Sequence, residues 1–384
     1  MRELQVVDVG DPRALWEPLA RSLFEEGPAV LPRPGGAKLS HTAPLEVSDD
    51  VALVVETSGT TGAPKRVALS AHAVLASARM AHDELARPGT WLLALPANYI
   101  AGIQVFVRAH LSGTVPVMVH PDSFSSTALL ARSQELLEAS THGGLFTSLV
   151  PTQLQRILDD AGARPQLHEL MRSFDRILVG GQALPPALAA RALDAGYRIT
   201  ATYGSSETAG GCVWDGFALP GVDVSEIDGR IALAGPMLAQ GYIDDSERTR
   251  KNFRVVEGQR WYLSDDRGES DAHGRLHLRG RIDDIIISGG VKVSLGEIER
   301  VIHATTEATD GVVVAVAHEK WGHVPILVTT HRLDLGAVRA SLGSAIGPQA
   351  RIERIDRRDV VPLLDSGKPD RLAIAAMAKE GGHD

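Results

Sequence analysis

The sequence predicts an α/β protein with a large N-terminal domain of layered sheets and helices, a small β-rich subdomain, and a C-terminal α+β domain. Three observations carry this. Between Val51 and Thr202, short apolar runs alternate with amphipathic helical patterns, as in largely parallel sheets covered by helices. After Gly210 the pattern gives way to short strands and tight turns. About a hundred residues from 283 onward mix both element types, the usual size of a separate domain.

In chain order, Ala14 to Glu25 reads as a helix with Leu15, Leu19 and Leu23 on one face, and 27–44, rich in Pro, Gly and Ser, as irregular. Val51 to Val55 is a short buried strand. Ser70 caps a helix to about Leu85, closed by Pro88-Gly89. Strands follow at Trp91 to Leu95, Val115 to Val119, Gly144 to Thr147, Arg176 to Val179 and Ile199 to Thr202. Between them lie helices bearing Ile103, Phe106 and Val107, then Ser125 to Ser140, one from Pro151 and one from Pro185. Val222 to Ile227 and Arg230 to Ala234 form a hairpin about Asp228-Gly229, with further strands at Trp261 to Leu263 and Leu276 to Leu278. Arg281 to Gly290 reads as a boundary. Beyond it come a helix (Leu295 to Ala304), two strands (Val312 to Ala317, Pro325 to Thr330), a helix (Leu335 to Ala345), a strand near Arg351 to Ile355 and a closing helix after Pro369.

The chain of 384 residues is 44% hydrophobic and 23% charged, an ordinary globular composition for two or three domains. A formal charge of −9 argues against nucleic acid or an anionic membrane surface as the main partner. The single cysteine, Cys212, excludes an intramolecular disulfide, and no stretch approaches a membrane span, so a cytoplasmic protein is expected. His318, Glu319 and His323 lack zinc-motif spacing.

Thr57 to Val67 packs four hydroxyls, two glycines and two cations into eleven positions after an apolar strand. Gly59 and Gly62 let backbone N–H groups approach an anion; Thr57, Ser58, Thr60 and Thr61 add donors, and Lys65 adds a point charge. Walker spacing is absent, because Ala63-Pro64 precede Lys65 and Arg66 follows it. In a parallel sheet, ligand loops lie beyond the carboxyl ends of strands, where 57–65, 180–184 and 203–208 fall. Within Tyr203-Gly204-Ser205-Ser206-Glu207-Thr208, a carboxylate among hydroxyls suits a hydrated Mg2+ bridging phosphates. The blander alternatives are a polar surface turn for the first loop and an acidic helix start for the second.

These two stretches resemble signatures of the adenylate-forming superfamily (acyl-CoA synthetases, adenylation domains, luciferases). So do Trp261-Tyr262-Leu263-Ser264-Asp265-Asp266, Gly280 to Asp284, Ser288 to Glu299, and Pro362 to Arg371, giving six ordered motifs over residues 51 to 371. The resemblance implies an ATP- and acid-binding domain over 1–282, its N-terminal part shortened, and a mobile domain over 283–384. It assigns ATP binding to 57–62, Lys65, Gly181, Tyr203, Thr208, Asp266, Arg281 and Lys368. Glu207 would hold the metal, and Lys368 with Glu207 and Lys65 would carry adenylation. Tyr99, Gly180, Gln182, Gly204 and Ser205 would line the acid's pocket, Asp283 would be the hinge, and Ser288, Gly289 and Gly290 would border CoA. Three departures stand out. Asn98-Tyr99 replace an aromatic-His pair, Ser264-Asp265 replace Thr-Gly, and Ile287 stands where many relatives carry lysine.

The implied activity is ATP-dependent ligation of a carboxylic acid to CoA through an acyl adenylate, with Mg2+. Within the superfamily the layout is most similar to the o-succinylbenzoate–CoA ligases of menaquinone synthesis. Another aryl- or acyl-CoA ligase, or a free-standing domain loading a carrier protein, fits the same motifs. A homodimer is left open.

Overall fold

The computed structural model describes residues 1–36, 46–57, 65–119, 124–139 and 143–380. Packing divides the chain into two compact units, one of Met1–Gly181, Ala195–Ser225 and Ala232–Ser264, the other of Gln182–Asp194, Glu226–Ile231 and Asp265–Asp384. Residues 265–282 thus pack with the second unit. The sequence reading placed them in the N-terminal domain, which it ended at residue 282.

The first unit holds two mixed sheets. One runs in the order Gly241–Tyr242, Lys65–Ser70, Val51–Thr57, Ala29–Arg33, Arg2–Asp8, Glu46–Val47. Val51 to Val55 is buried at every position, which requires cover on both faces. Each fully buried Val or Leu there contributes about 1.5–3 kcal/mol. The second sheet runs Phe217–Ala218, Gly210–Trp214, Ile199–Ser205, Arg176–Val179, Gly144–Leu149, Gly89–Leu93, Val117–Met118. It is parallel from Ile199–Ser205 to Val117–Met118 and antiparallel at its other edge.

The Ser70 hydroxyl accepts from Ala73 N at 3.1 Å and caps the helix Ala71–Leu85, which packs on strands of both sheets. The helix Ile100–Ser112 packs on the second sheet and on the helices Ala71–Leu85 and Trp16–Phe24. Its unbroken buried run from Gly102 to Ala109 is what a helix enclosed on all sides requires.

In the second unit, the strands Val312–His318 and Gly322–Thr329 alternate faces with the period of two that strands impose. Val313 and Leu327 meet the helices Leu295–Thr305 and Leu335–Ala345, whereas Val312, Val314, Ile326 and Val328 meet Arg371–Glu380.

Two local expectations need correction, and two strands went unread. Residues 29–33, inside the stretch read as irregular, form a fully buried strand parallel to Arg2–Asp8. Lys65–Ser70, given no element in the sequence reading, turns back as an antiparallel partner of Val51–Thr57. Ser125 to Ser140 contains two helices, Ser126–Leu130 and Ser133–Ala139. Arg281 to Gly290 contains the strand Ile285–Ser288, which pairs with Val291–Ser294 about Gly289 (φ 57°) and Gly290 (φ 83°), angles that suit a two-residue hairpin turn.

Candidate active site

In the first unit, the candidate residues gather at strand ends. Thr57 and Lys65 are directly opposed, one at the end of its strand and the other at the start of the next; Ser58, Gly59, Thr60, Thr61 and Gly62, between them in sequence, lie outside the described residues. One position deeper, Glu56 faces Arg66 and bonds Arg33 at 2.7 Å and Arg66 at 3.0 Å. Arg66, the second cation of the loop motif, therefore helps hold the base of the hairpin.

Gly180 directly follows the strand Arg176–Val179, and a side chain there would bring Cβ to 2.3 Å from Thr202 Oγ1. Gly204 is equally constrained, since a Cβ would lie 2.1 Å from Gly210 O at the register shift between the two strands. Gly181 has a φ of 79°. Tyr203 donates to Ser264 Oγ at 3.2 Å, and Tyr99 stands at the start of Ile100–Ser112.

The turn Ser206–Thr208 is built from its own side chains. Ser205 Oγ accepts from Glu207 N at 3.2 Å, and Thr208 Oγ1 accepts from Ser205 N at 2.8 Å. Thr208 Oγ1 also lies 2.8 Å from Gly210 O as donor, and the residue is 0% exposed, so its side chain shapes the loop from within. Ser77 Oγ and Gln104 Nε2 both donate to Ala209 O, at 2.9 and 2.7 Å, pinning the far side.

Glu207 is only 6% exposed. Its Oε1 accepts from the Tyr242 hydroxyl at 2.8 Å, and Asn252 Nδ2 donates to the Tyr242 oxygen at 3.1 Å. Among the described residues no Lys, Arg or His side chain pairs with Glu207. Burial, then the charge of Glu207, pushes the Tyr262 hydroxyl well above its usual range, against a hydrogen bond with Ser205 that lowers it. A buried carboxylate supported by one neutral hydroxyl fits a cation such as Mg2+, which takes few protein oxygens and keeps its waters. Cys212 is no nucleophile, as burial pushes its thiol up to about 12.

Tyr242, Asn252 and Tyr262 escaped the sequence reading as parts of this site. No period links positions 207, 242, 252 and 262, and what joins Tyr242 to the site is the pairing of Gly241 and Tyr242 with Ala68 and Val67.

In the second unit, Asp266 and Arg281 are cross-strand partners, with Arg281 Nη1 3.5 Å from Asp266 Oδ1. Arg281 also makes a bidentate pair with Asp283, at 2.7 and 2.8 Å. Burial alone would lower the Arg281 pKa, but the three aspartates around it raise it. Arg230 bonds Asp265 at 3.0 Å. Gln182 Nε2 donates to Gly367 O at 3.1 Å, beside Lys368. The exposed Lys368 sits on a tight turn in which Leu364 N donates to Lys368 O at 2.8 Å and Gly367 has a φ of 75°. Ser288 ends the strand before the Gly289-Gly290 turn, and Trp321 packs on Gly289, where a Cβ would be 2.9 Å from its ring.

Residues 5–281 match the family model described as AMP-binding enzyme. A Mycobacterium tuberculosis protein described as probable 2-succinylbenzoate–CoA ligase is 37% identical over 337 residues, 86% of this chain and 85% of the relative. The 2-succinylbenzoate–CoA ligase of Salmonella typhimurium is 30% identical over 292 residues, covering 73% of this chain and 58% of the relative. Among solved structures, a variant of Escherichia coli MenE with bound OSB-AMS superposes with a TM-score of 0.75 at 22% identity, over 99% of this chain and 88% of that one. Amide bond synthetase McbA from Marinactinospora thermotolerans gives 0.74 at 24% identity, over 98% and 80%. At these identities the structural likeness establishes the fold.

Proposed function

The chain belongs to the AMP-binding enzyme family, and from that premise we propose that it joins 2-succinylbenzoate to CoA through an acyl adenylate, releasing AMP and pyrophosphate. The substrate reading rests on the 37% identity to a relative of that description over 86% of the chain. The observation that carries the chemistry is the buried Glu207 carboxylate without a cationic partner among the described residues, tied through Tyr242 to the strand that begins at Lys65.

In the first half-reaction an oxygen of the acid attacks the α-phosphorus of ATP, and the bond from that phosphorus to the bridging oxygen of pyrophosphate breaks. Negative charge gathers on the phosphoryl oxygens and the departing group, so the protein's contribution is position and positive field. Lys65 and the donors of 57–62 border the phosphates, and Lys368 adds a second cation. Glu207 would hold Mg2+, which when bound would neutralise phosphate charge. Asp266, fixed by Arg281, accepts from the ribose hydroxyls. Tyr99, Gly180, Gln182, Gly204 and Ser205 border the acid, with Gly181, Tyr203 and the loop held by Thr208 against the adenylate.

In the second half-reaction the CoA sulfur attacks the acyl carbon, the thiol proton is lost to solvent, and the bond to AMP breaks. Ser288, Gly289 and Gly290 border the approaching thiol. Asp283, already clamped by Arg281, is the hinge that exchanges Lys368 for this turn. The enzyme works in the cytoplasm, where its co-substrates ATP and CoA are supplied. Among the described residues no helix is long and apolar enough to cross a membrane.

Pyrophosphate release measured across aliphatic, benzoic and succinylbenzoic acids, with mass detection of thioesters, tests the reading. Fastest release with 2-succinylbenzoate, and its thioester only when CoA is added, is expected. Preference for a simple fatty or benzoic acid would overturn the substrate, and thioester on a carrier protein but not on CoA would overturn the acceptor.

A further inference from the structure

Glu207, Tyr242 and Asn252 come from three separate segments, and all are buried, at 6, 7 and 4% exposure. Their hydrogen bonds have one consistent direction. The Asn252 amide nitrogen can only donate, so the Tyr242 oxygen accepts at 3.1 Å and gives its single proton to the hydrogen bond with Glu207 Oε1 at 2.8 Å. Reversing the Asn252 amide would set its Oδ1 and Glu207 Oε1 in competition for that one proton, which fixes the amide's orientation.

The chain of donors is held from both sides. Tyr242 is a strand partner of Val67, and its backbone N donates to Thr249 Oγ1 at 2.9 Å. Phe253 lies edge-on to Tyr242 at 5.9 Å and contacts the Tyr262 ring at 5.2 Å. The relay engages Oε1 with a neutral donor rather than a cation.

We propose that Tyr242 and Asn252 are positioning residues that aim Glu207 as a one-oxygen ligand for a hydrated divalent cation accompanying the nucleotide. This rests on the reading of Glu207 as the metal ligand. Neither residue touches the cation; each acts through Glu207, as partners behind metal ligands do elsewhere with about 10–100-fold effects on affinity.

The test is Mn2+ binding to the enzyme in complex with a non-hydrolysable ATP analogue, followed by electron paramagnetic resonance, for Tyr242→Phe, Asn252→Leu and Glu207→Gln. Tyr242→Phe removes one oxygen and Asn252→Leu keeps the volume, so either variant suffices if the other is poorly folded. About 10-fold or greater weakening of Mn2+ binding in each variant that folds, with analogue affinity measured without metal unchanged, supports the proposal. Weakening in Glu207→Gln alone overturns it while leaving the metal-ligand reading intact. Unchanged binding in Glu207→Gln overturns both.

Discussion

Glu56 stands one residue before the hairpin flank at Thr57, clamped between Arg33 on the neighbouring strand and Arg66 across the hairpin. Burial alone would raise its pKa, but the two arginines outweigh it and hold the carboxyl below its usual range. A carboxylate lowered in the folded state stabilises fully above its unfolded pKa, about 4.3, and that contribution fades as pH falls through the lowered folded value. Glu56→Gln is therefore expected to cost about 1–2 kcal/mol at neutral pH, a buried-pair effect discounted for partial exposure. Urea titrations should show the gap between variant and parent closing below about pH 4. A gap of constant size from neutral pH down to about pH 3 would contradict the role given to Arg33 and Arg66.

At the scale of elements, the strand Ile199–Ser205 carries its site residues past a register shift that only Gly204 allows. Gly204→Ala would place a methyl 2.1 Å from a backbone oxygen, so the strand must move, costing about 1–3 kcal/mol and misplacing Ser205 to Glu207. Weakened nucleotide binding together with a lowered melting temperature is expected; a variant with parental melting and nucleotide affinity would show that the shift is not needed. The sequence made the parallel half of this sheet legible because each strand was a short apolar run bounded by Gly or Pro. It hid Ala29–Arg33, whose Pro32 and flanking Pro28 and Pro34 read as loop although the strand is buried throughout. It also hid Lys65–Ser70, whose charged start resembles the end of a loop, and the Ile285–Ser288 hairpin, whose charges and glycines resemble a linker. Local motifs singled out Glu207 and Lys368 as the residues now proposed for the site. Nothing local singled out Tyr242 and Asn252, because a contact across 35 residues leaves no local pattern.

For the whole molecule, the difficulty is electrostatic: a chain of net charge −9 handles a triphosphate. The proposed answer is to bring cations in only where charge develops, with Lys65 in the first unit, Lys368 in the second and a cation at Glu207. Because Lys368 lies on an exposed turn of its own unit, its part is confined to whichever step finds that turn at the nucleotide. The most direct test compares the two half-reactions in Lys368→Ala: acid-dependent exchange of pyrophosphate into ATP, and thioester formation from supplied acyl adenylate and CoA. Removing a charge-stabilising group should slow the first by about 100-fold or more and leave the second near the parental rate. Equal loss in both would contradict the division of labour on which the account depends.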